Sequence, residues 1–322
     1  MYSLPHLVFI TVLIVLANSV GLFGNLNVII ATIREPSLRT KGGYLMSILC
    51  FLQIICLLSE LGNLRVYWSR MVMDKELCFR MIAVYLFSFI AQSVMYFILS
   101  LDMLIAVLAP LKHKIWPTKP YVFLMCLPPA VIACFAFVSS CYRNSNVNMT
   151  CRPATALVHH VVQAYTIIVM IINTAAVAMI LSLAFLANKK EKGMRDRHRS
   201  VDSDASSVTA RNRMIRVLTI VIVVFVATSY LTAICVHIAF RMELEEDYHD
   251  YVMTFGMMLA LLTYIQNYYV LWFRNPRYRR VFFQQLACLQ YCSCFCVKEP
   301  DIAVEPASVR GRHGNNIQTT SL

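Results

Sequence analysis

The chain has 322 residues, of which 59% are hydrophobic and only 14% are charged, and its formal net charge is +12. A soluble domain carries about 25% charged residues, so this composition excludes a water-soluble globule and indicates that lipid covers much of the surface. The positive charge does not by itself predict nucleic-acid binding, because its meaning depends on where the basic residues lie along the chain. The sequence has neither a glycine-rich phosphate loop nor an internal repeat.

Seven apolar segments are long enough to cross a bilayer, which takes about 20 helical residues. They are Leu4–Ile33, Gly43–Leu64, Met81–Leu101, Tyr121–Tyr142, Pro153–Asn188, Val217–Phe240 and Tyr251–Phe273. The first lacks the basic start and small-residue cleavage site of a signal peptide, so we interpret it as a retained span. Backbone groups in lipid must bond within their own segment, which predicts an all-α membrane protein, a bundle of seven transmembrane helices.

The basic residues predict the orientation of this bundle. With the N-terminus outside, most of the 29 Lys and Arg residues fall in the inner loops and the tail. Inner loops of membrane proteins are enriched in Lys and Arg, so we expect a multi-pass plasma-membrane protein with an extracellular N-terminus and a cytoplasmic C-terminus. The polar inner segment from Lys189 to Arg216 is short of aromatic residues, and we expect it to be mobile.

The same orientation places two covalent features outside the cell. Asn148 begins the glycosylation sequence Asn-Met-Thr. Cys78 and Cys151 also fall outside, where a disulfide bond between the top of the third helix and the second outer loop can persist. Cys141 is an alternative partner for Cys78, and unpaired thiols are a further alternative.

The segment after the seventh span reads NPRYRRVFFQQL, in which arginines alternate with aromatic residues. This pattern predicts a short amphipathic helix lying on the inner leaflet. Cys288, Cys292, Cys294 and Cys296 follow. Their C-x-C-x-C spacing lacks the paired knuckles of a zinc site, so we expect palmitoylation, with unmodified thiols as the alternative. We place the receptor domain at residues 1–286 and a Cys-rich, then disordered, cytoplasmic tail at 287–322.

Several phrases, in order along the chain, carry a family resemblance. They are GLFGNLNVIIATI, SLRTKGGYL, LCF, LDMLIAVLAP and NYYVLWFRNPRYRRVF. The chain resembles the rhodopsin-like seven-transmembrane G-protein-coupled receptors and is most similar to nematode serpentine chemoreceptors of the Srsx type. The resemblance implies a chemosensory receptor for a small-molecule or peptide ligand that signals through a heterotrimeric G protein. It implies neither catalysis nor a cofactor or metal.

The chain departs from the family pattern at the inner end of the third helix. The resemblance implies that Asp102 and Met103 form the G-protein-facing switch, but relatives usually carry an arginine where this chain has Met103. We expect the Asp102 carboxylate to pair with basic neighbours, such as those of Lys112 to Lys114 or Arg39. We expect coupling to persist, with a non-signalling decoy or trafficking receptor as the alternative. A small-solute transporter is a weaker alternative, because the sequence shows neither repeated halves nor broken spans.

Polar residues inside spans tend to face the bundle interior. Asn25, Gln53, Gln92 and Asn267 lie at similar depths, so we expect them to meet in a network that either holds the helices together or rearranges on switching. The outer half is the expected ligand site. Its candidate ligand-binding residues are Glu60, Tyr85, His159, Gln163 and Tyr264. A structural pairing of Glu60 with Arg65 or a tyrosine, and a solvated helix end at His159, are the alternatives.

Overall fold

A computed structural model describes residues 4–69, 72–141, 148–150, 159–197, 202–241 and 246–292. Their helices are α1 Leu4–Arg34, α2 Lys41–Ser69, α3 Lys75–Leu108, α4 Pro110–Ile115, α5 Thr118–Cys141, α6 His159–Arg197, α7 Asp202–Arg241, α8 Glu246–Arg274 and α9 Pro276–Cys292. A 3-10 turn, Pro36–Leu38, joins α1 to α2. The all-α bundle predicted from the apolar segments is confirmed.

Within the described residues, six helices are long and apolar enough to cross a membrane: α1, α2, α3, α5, α6 and α7. The seventh predicted span lies in α8, which is less apolar because Tyr264, Gln266 and Asn267 lie on it. All three side chains are buried inside the bundle rather than exposed to lipid. A span can carry polar residues when they face other helices, so the composition of α8 reflects its contacts.

The bundle is organised around α3, the most deeply buried of these spans. It packs against α2, α5 and α6, while α1 packs against α2 and α8, and α7 packs against α8. Large apolar side chains cover the outside; Phe123 and Phe135 on α5 are both more than two-thirds exposed. A belt of exposed apolar groups this extensive fits a lipid environment and would aggregate in water.

Two glycines let α1 approach its neighbours closely. A Cβ atom on Gly24 would lie 2.7 Å from Cβ of Tyr268 on α8, and one on Gly21 would lie 2.6 Å from a methyl group of Leu57 on α2. Small residues at such crossings allow backbones to pack tightly where no hydrophobic effect drives helices together in lipid. The contacts therefore fix α1 against both α2 and α8.

The amphipathic helix predicted after the seventh span is confirmed as α9. It begins at Pro276, and the Asn275 side chain accepts a hydrogen bond from the backbone N–H of Arg277 at 3.1 Å, which caps the helix start. Tyr278, Val281, Phe282 and Gln285 are buried at helical spacing, whereas Arg279 and Arg280 are exposed. Burial raises the pKa of Tyr278 to about 12, so its phenol stays neutral.

An aromatic cluster joins α8 to α9. The ring of Tyr268 lies 4.6 Å from that of Phe282 on α9 and 5.7 Å from that of Trp272 on its own helix, measured between centroids. Phe23 of α1 contacts the same tyrosine edge-on at 5.7 Å. The Tyr268 ring therefore ties α8 to both α1 and α9.

Two short strands were not predicted. β1 Val72–Asp74 pairs antiparallel with β2 Asn148–Thr150, with Met73 opposite Met149. The ladder joins the start of α3 to the segment between α5 and α6. We call this end of the bundle the hairpin end, and the opposite end, which carries Asp102 and Asn275, the α9 end.

The segment expected to be mobile, Lys189 to Arg216, is helical over most of its length. α6 continues to Arg197 and α7 begins at Asp202, so both helices extend past the apolar spans. The sequence analysis did not predict these extensions, although polar, charged residues such as Lys, Glu and Arg are also good helix formers and can prolong an existing helix.

By contacts, the chain divides into a unit of residues 1–285 and a second unit of residues 286–322. The first unit contains α1 to α8 and most of α9. The described part of the second unit is the end of α9, from residue 286 to residue 292. The disordered tail predicted for 287–322 lies outside the described residues from 293 onward.

Candidate functional site

Three predicted ligand-binding residues lie together toward the hairpin end. With Cys56 they form what we call the Glu60 cluster: Cys56 and Glu60 on α2, Tyr85 on α3 and Tyr264 on α8. The hydroxyls of Tyr85 and Tyr264 are hydrogen-bonded at 3.1 Å. The Tyr85 hydroxyl also interacts with the Glu60 carboxyl, and Cys56 with Tyr264. The cluster therefore joins three helices through polar groups.

The surroundings of this cluster are apolar. Ile10 and Ile14 of α1, Leu57 and Leu64 of α2 and Leu261 of α8 belong to the same buried core. Glu60 is 3% exposed, and its carboxyl accepts a hydrogen bond from the Asn63 amide at 3.3 Å. Arg65, the suggested cationic partner, is exposed and does not pair with Glu60. Of the two structural partners suggested for Glu60, the one observed is a tyrosine, Tyr85.

The two other predicted ligand residues are not brought to this cluster. Gln163 lies exposed on α6. His159 is the first residue of α6, but its side chain lies outside the described set. The structure therefore supplies a candidate site from α2, α3 and α8 without α6.

A second polar group lies deeper in the bundle, and we call it the amide network: Gln53, Tyr96, Gln266 and Asn267. The Asn267 side chain donates to the Gln53 side-chain oxygen, Oε1, at 2.8 Å, and the Gln53 side chain donates to the Tyr96 hydroxyl at 2.9 Å. Tyr96 in turn donates to the Asn267 side-chain oxygen at 3.2 Å and accepts from Gln266 at 3.2 Å. These mutual bonds link α2, α3 and α8 without net charge.

The predicted members of the network differ in their placement. Gln53 and Asn267 bond to each other directly, whereas Asn25 donates to the backbone carbonyl of Tyr264 at 2.8 Å. Gln92 is fully buried, but neither its amide nitrogen nor its oxygen has a hydrogen-bond partner among the described residues. Tyr96 was missed, although it lies eleven residues, about three turns, after Tyr85 on one face of α3.

The Glu60 cluster and the amide network meet on consecutive residues of α8. Gln53 donates to the backbone carbonyl of Thr263 at 3.0 Å, and Asn25 to that of the next residue, Tyr264. The Tyr264 side chain belongs to the Glu60 cluster, and Asn267 lies less than one turn further along the helix. A displacement of α8 at Tyr264 would therefore alter both sets of bonds.

At the α9 end, Asp102 has two direct partners. Its Oδ1 atom lies 2.9 Å from Nε2 of His113 on α4 and accepts a hydrogen bond from the Tyr121 hydroxyl on α5 at 2.8 Å. Lys41 of α2 donates to the backbone carbonyl of His113 and lies over the Tyr121 ring, 4.7 Å from its centroid. We call Lys41, Asp102, His113 and Tyr121 the Asp102 cluster.

The expected partners of Asp102 need a correction. Pairing with Arg39 is wrong, because the Arg39 guanidinium donates to the backbone carbonyl of Ile33, at 2.5 Å from Nη2. Of the basic run from Lys112 to Lys114, the histidine in the middle makes the contact. The short helix α4, which begins at Pro110, turns the chain back so that His113 faces α3.

Met103 lines a cleft at the α9 end. The walls are mostly apolar and come from several helices: Met46, Leu99, Met103, Val217, Leu271 and Tyr278. Asp102, Asn275 and Arg277 add polar groups to the lining. Met103 is only 6% exposed, so its thioether takes part in packing at a position where an arginine would need a charged or hydrated partner.

Sites of covalent modification are described only in part. Cys78 is disulfide-bonded, but its predicted partner Cys151 lies outside the described residues. Asn148 is in β2, and Cys288 and Cys292 are in α9, but the side chains of these three residues are outside the described set. Cys294 and Cys296 lie entirely outside the described residues. In the part of the chain that is described, no three His, Cys, Asp or Glu side chains could hold a metal together.

Comparison with known proteins gives one match and one negative finding. The model of the family described as serpentine type 7TM GPCR chemoreceptor Srsx matches residues 18–286, which is most of the chain. No curated protein matches it. The matched range contains the Glu60 cluster, the amide network and the Asp102 cluster. Because the match covers most of the chain, this multi-pass membrane protein belongs to the Srsx family of serpentine seven-transmembrane chemoreceptors.

Proposed function

We propose that this receptor binds a small extracellular ligand at the Glu60 cluster and signals through a heterotrimeric G protein at the α9 end. The observation that carries the proposal is the shared stretch of α8. Tyr264 contributes its side chain to the Glu60 cluster, while the backbone carbonyls of Thr263 and Tyr264 accept from the deeper amides of Gln53 and Asn25. Binding at the Glu60 cluster is thereby coupled through α8 to the deeper amides of Gln53 and Asn25.

The Glu60 cluster is closed, since Tyr264 and Glu60 are almost fully buried. A ligand must separate the Tyr85 and Tyr264 hydroxyls to reach the carboxyl. The arrangement in which they are apart would then be favoured by the ligand's differential affinity for it. Since Tyr264 is held by its backbone as well, the separation would strain the Asn25 and Gln53 bonds and displace α8 relative to α1 and α2.

At the α9 end, the apolar cleft containing Met103 is the candidate docking surface for a G-protein helix. Flexible methionines suit an adaptable apolar contact. The contact of Asp102 with His113 supplies a basic partner from α4 in place of the neighbouring arginine of relatives. The contact restrains Asp102 in the resting arrangement, which supports ligand-regulated coupling despite the substitution.

The orientation belongs to the same proposal. The hairpin end faces the outside of the plasma membrane and the α9 end faces the cytoplasm, in keeping with the excess of Lys and Arg in the inner segments. β1 ends four residues before Cys78 and β2 ends one residue before Cys151 in sequence, which supports the Cys78–Cys151 pairing. Glycosylation of Asn148 and palmitoylation of the tail cysteines complete it.

A non-signalling receptor is the second candidate, and the burial of Met103 favours it. A ligand-panel assay of G-protein activation, with the full chain in cells, tests both candidates. We expect responses from the wild type that Tyr85→Phe weakens and the lipid-facing control Phe123→Leu leaves unchanged. Signalling from Met103→Arg alone would favour the silent receptor and contradict coupling by the natural sequence.

Topology is tested separately with one epitope tag at each terminus. In intact cells, antibodies should reach the N-terminal tag only, and the C-terminal tag only after permeabilisation. Access to both tags, or to neither, without permeabilisation would contradict an odd number of membrane crossings with the N-terminus outside.

A further inference from the structure

Glu60 is a buried carboxyl whose hydrogen-bond partners, within the described part of the chain, are neutral. It accepts a hydrogen bond from Asn63 and interacts with the Tyr85 hydroxyl. Among the residues that the structure describes, no Lys, Arg or His is paired with it. A carboxylate can accept about four hydrogen bonds, so these two donors leave part of its capacity unused.

A carboxylate in this position gains more from a cation than an exposed one does. Burying an ionised carboxylate without a counter-charge is costly, because the apolar surroundings do not replace its hydration. The 3% exposure of Glu60 and the apolar side chains around it put the group in this situation. A cation that binds here therefore supplies the counter-charge that the ionised form of Glu60 lacks among the described residues.

The neighbours indicate which kind of cation fits. The hydroxyls of Tyr85 and Tyr264 are hydrogen-bonded to each other and lie near the carboxyl, and a hydroxyl oxygen can accept a hydrogen bond from an ammonium group. Ile14, Leu57 and Leu261 provide apolar walls around the cluster. An ammonium group bonded to Glu60, with an apolar body against these side chains, satisfies both features.

We infer that the Glu60 cluster selects a small organic cation, an amine with an apolar body, for which Glu60 is the counter-ion. The inference rests on the proposed function, which places the ligand at this cluster. It adds the charge of the ligand and assigns separate roles. Glu60 provides charge recognition, whereas the hydroxyls of Tyr85 and Tyr264 accept further hydrogen bonds from the ammonium group, and Tyr264 provides the connection to α8.

The test compares matched amines and alcohols on the purified full chain in lipid nanodiscs. The probes are 2-phenylethylamine with 2-phenylethanol, tryptamine with tryptophol, and butylamine with 1-butanol. Within each pair the apolar body is constant and only the cationic group changes. For at least one pair we expect the amine to bind wild type ten-fold or more tightly than the alcohol. Glu60→Gln should weaken that amine at least ten-fold and leave the alcohol unchanged.

Equal binding of amine and alcohol in all three pairs, or absence of any amine binding, would overturn the inference. So would a Glu60→Gln protein that keeps full amine affinity. The thermal unfolding of each unliganded variant shows whether it is folded, and Glu60→Asp, which keeps the charge, should retain part of the preference. If Glu60→Gln does not fold, the wild-type ratio and Glu60→Asp decide.

The outcomes also separate this inference from the proposed function. Neutral or acidic compounds that activate the receptor through Tyr85 while amines do not would refute cation selection and leave ligand-gated signalling standing. A panel of cationic, neutral and acidic compounds that gives no response from any member would contradict the proposed function itself.

Discussion

Replacing Gln53 by leucine should destabilise the receptor measurably. The Gln53 side chain makes three hydrogen bonds, with Tyr96, Asn267 and the Thr263 carbonyl, and is fully buried. Interhelical hydrogen bonds in membrane proteins contribute about 0.6 kcal/mol each, so their loss should cost about 2 kcal/mol. For a chain of 322 residues, that corresponds to a fall in melting temperature of about 3 °C.

The measurement is thermal unfolding of the purified protein in one fixed detergent. Gln92→Leu is the matched control, because Gln92 is the same residue type, is equally buried, and has no hydrogen-bond partner among the described residues. Removing an unpaired buried amide should leave the melting temperature unchanged or raise it. If both variants melt at the wild-type temperature, or if Gln92→Leu is the less stable of the two, the bonding assigned to Gln53 is wrong.

Two further predictions concern the α9 end and the α1 contact. His113→Phe removes the 2.9 Å contact with Asp102 and should raise ligand-independent G-protein activation, measured as basal nucleotide exchange. Unchanged exchange would contradict a role of His113 in restraining Asp102. Gly24→Ala should reduce thermal stability and surface expression by forcing α1 away from Tyr268. The control Gly62→Ala, with open space around it, should leave both properties unchanged. Equal behaviour of the two variants would contradict the close α1–α8 packing.

The helices followed from the sequence because apolar length is a local property. Each predicted span lies largely within one observed helix, including the span interrupted by Glu60. The strands β1 and β2 could not be predicted in the same way, since three residues on each side give no periodic signal and their pairing depends on distant segments.

The candidate sites were predictable where one helix face carried the polar residues. The direct contact of Gln53 with Asn267, and that of Tyr85 with Tyr264, place predicted residues next to one another. The Asp102 cluster was not predictable, because the contacts of His113 with Asp102 and of Lys41 with His113 form only after α4 reverses the chain. A six-residue helix that begins with proline does not reveal that geometry in its sequence.

The aromatic cluster around Tyr268 has a consequence for the membrane surface. Because its ring packs against Phe23 on α1 and Phe282 on α9, these three helices meet at one aromatic contact. On the proposed placement of α9 at the membrane surface, a rotation of α8 would shift α9 and its exposed arginines relative to the lipid headgroups. A dye attached near Phe283 would report that movement without any G protein.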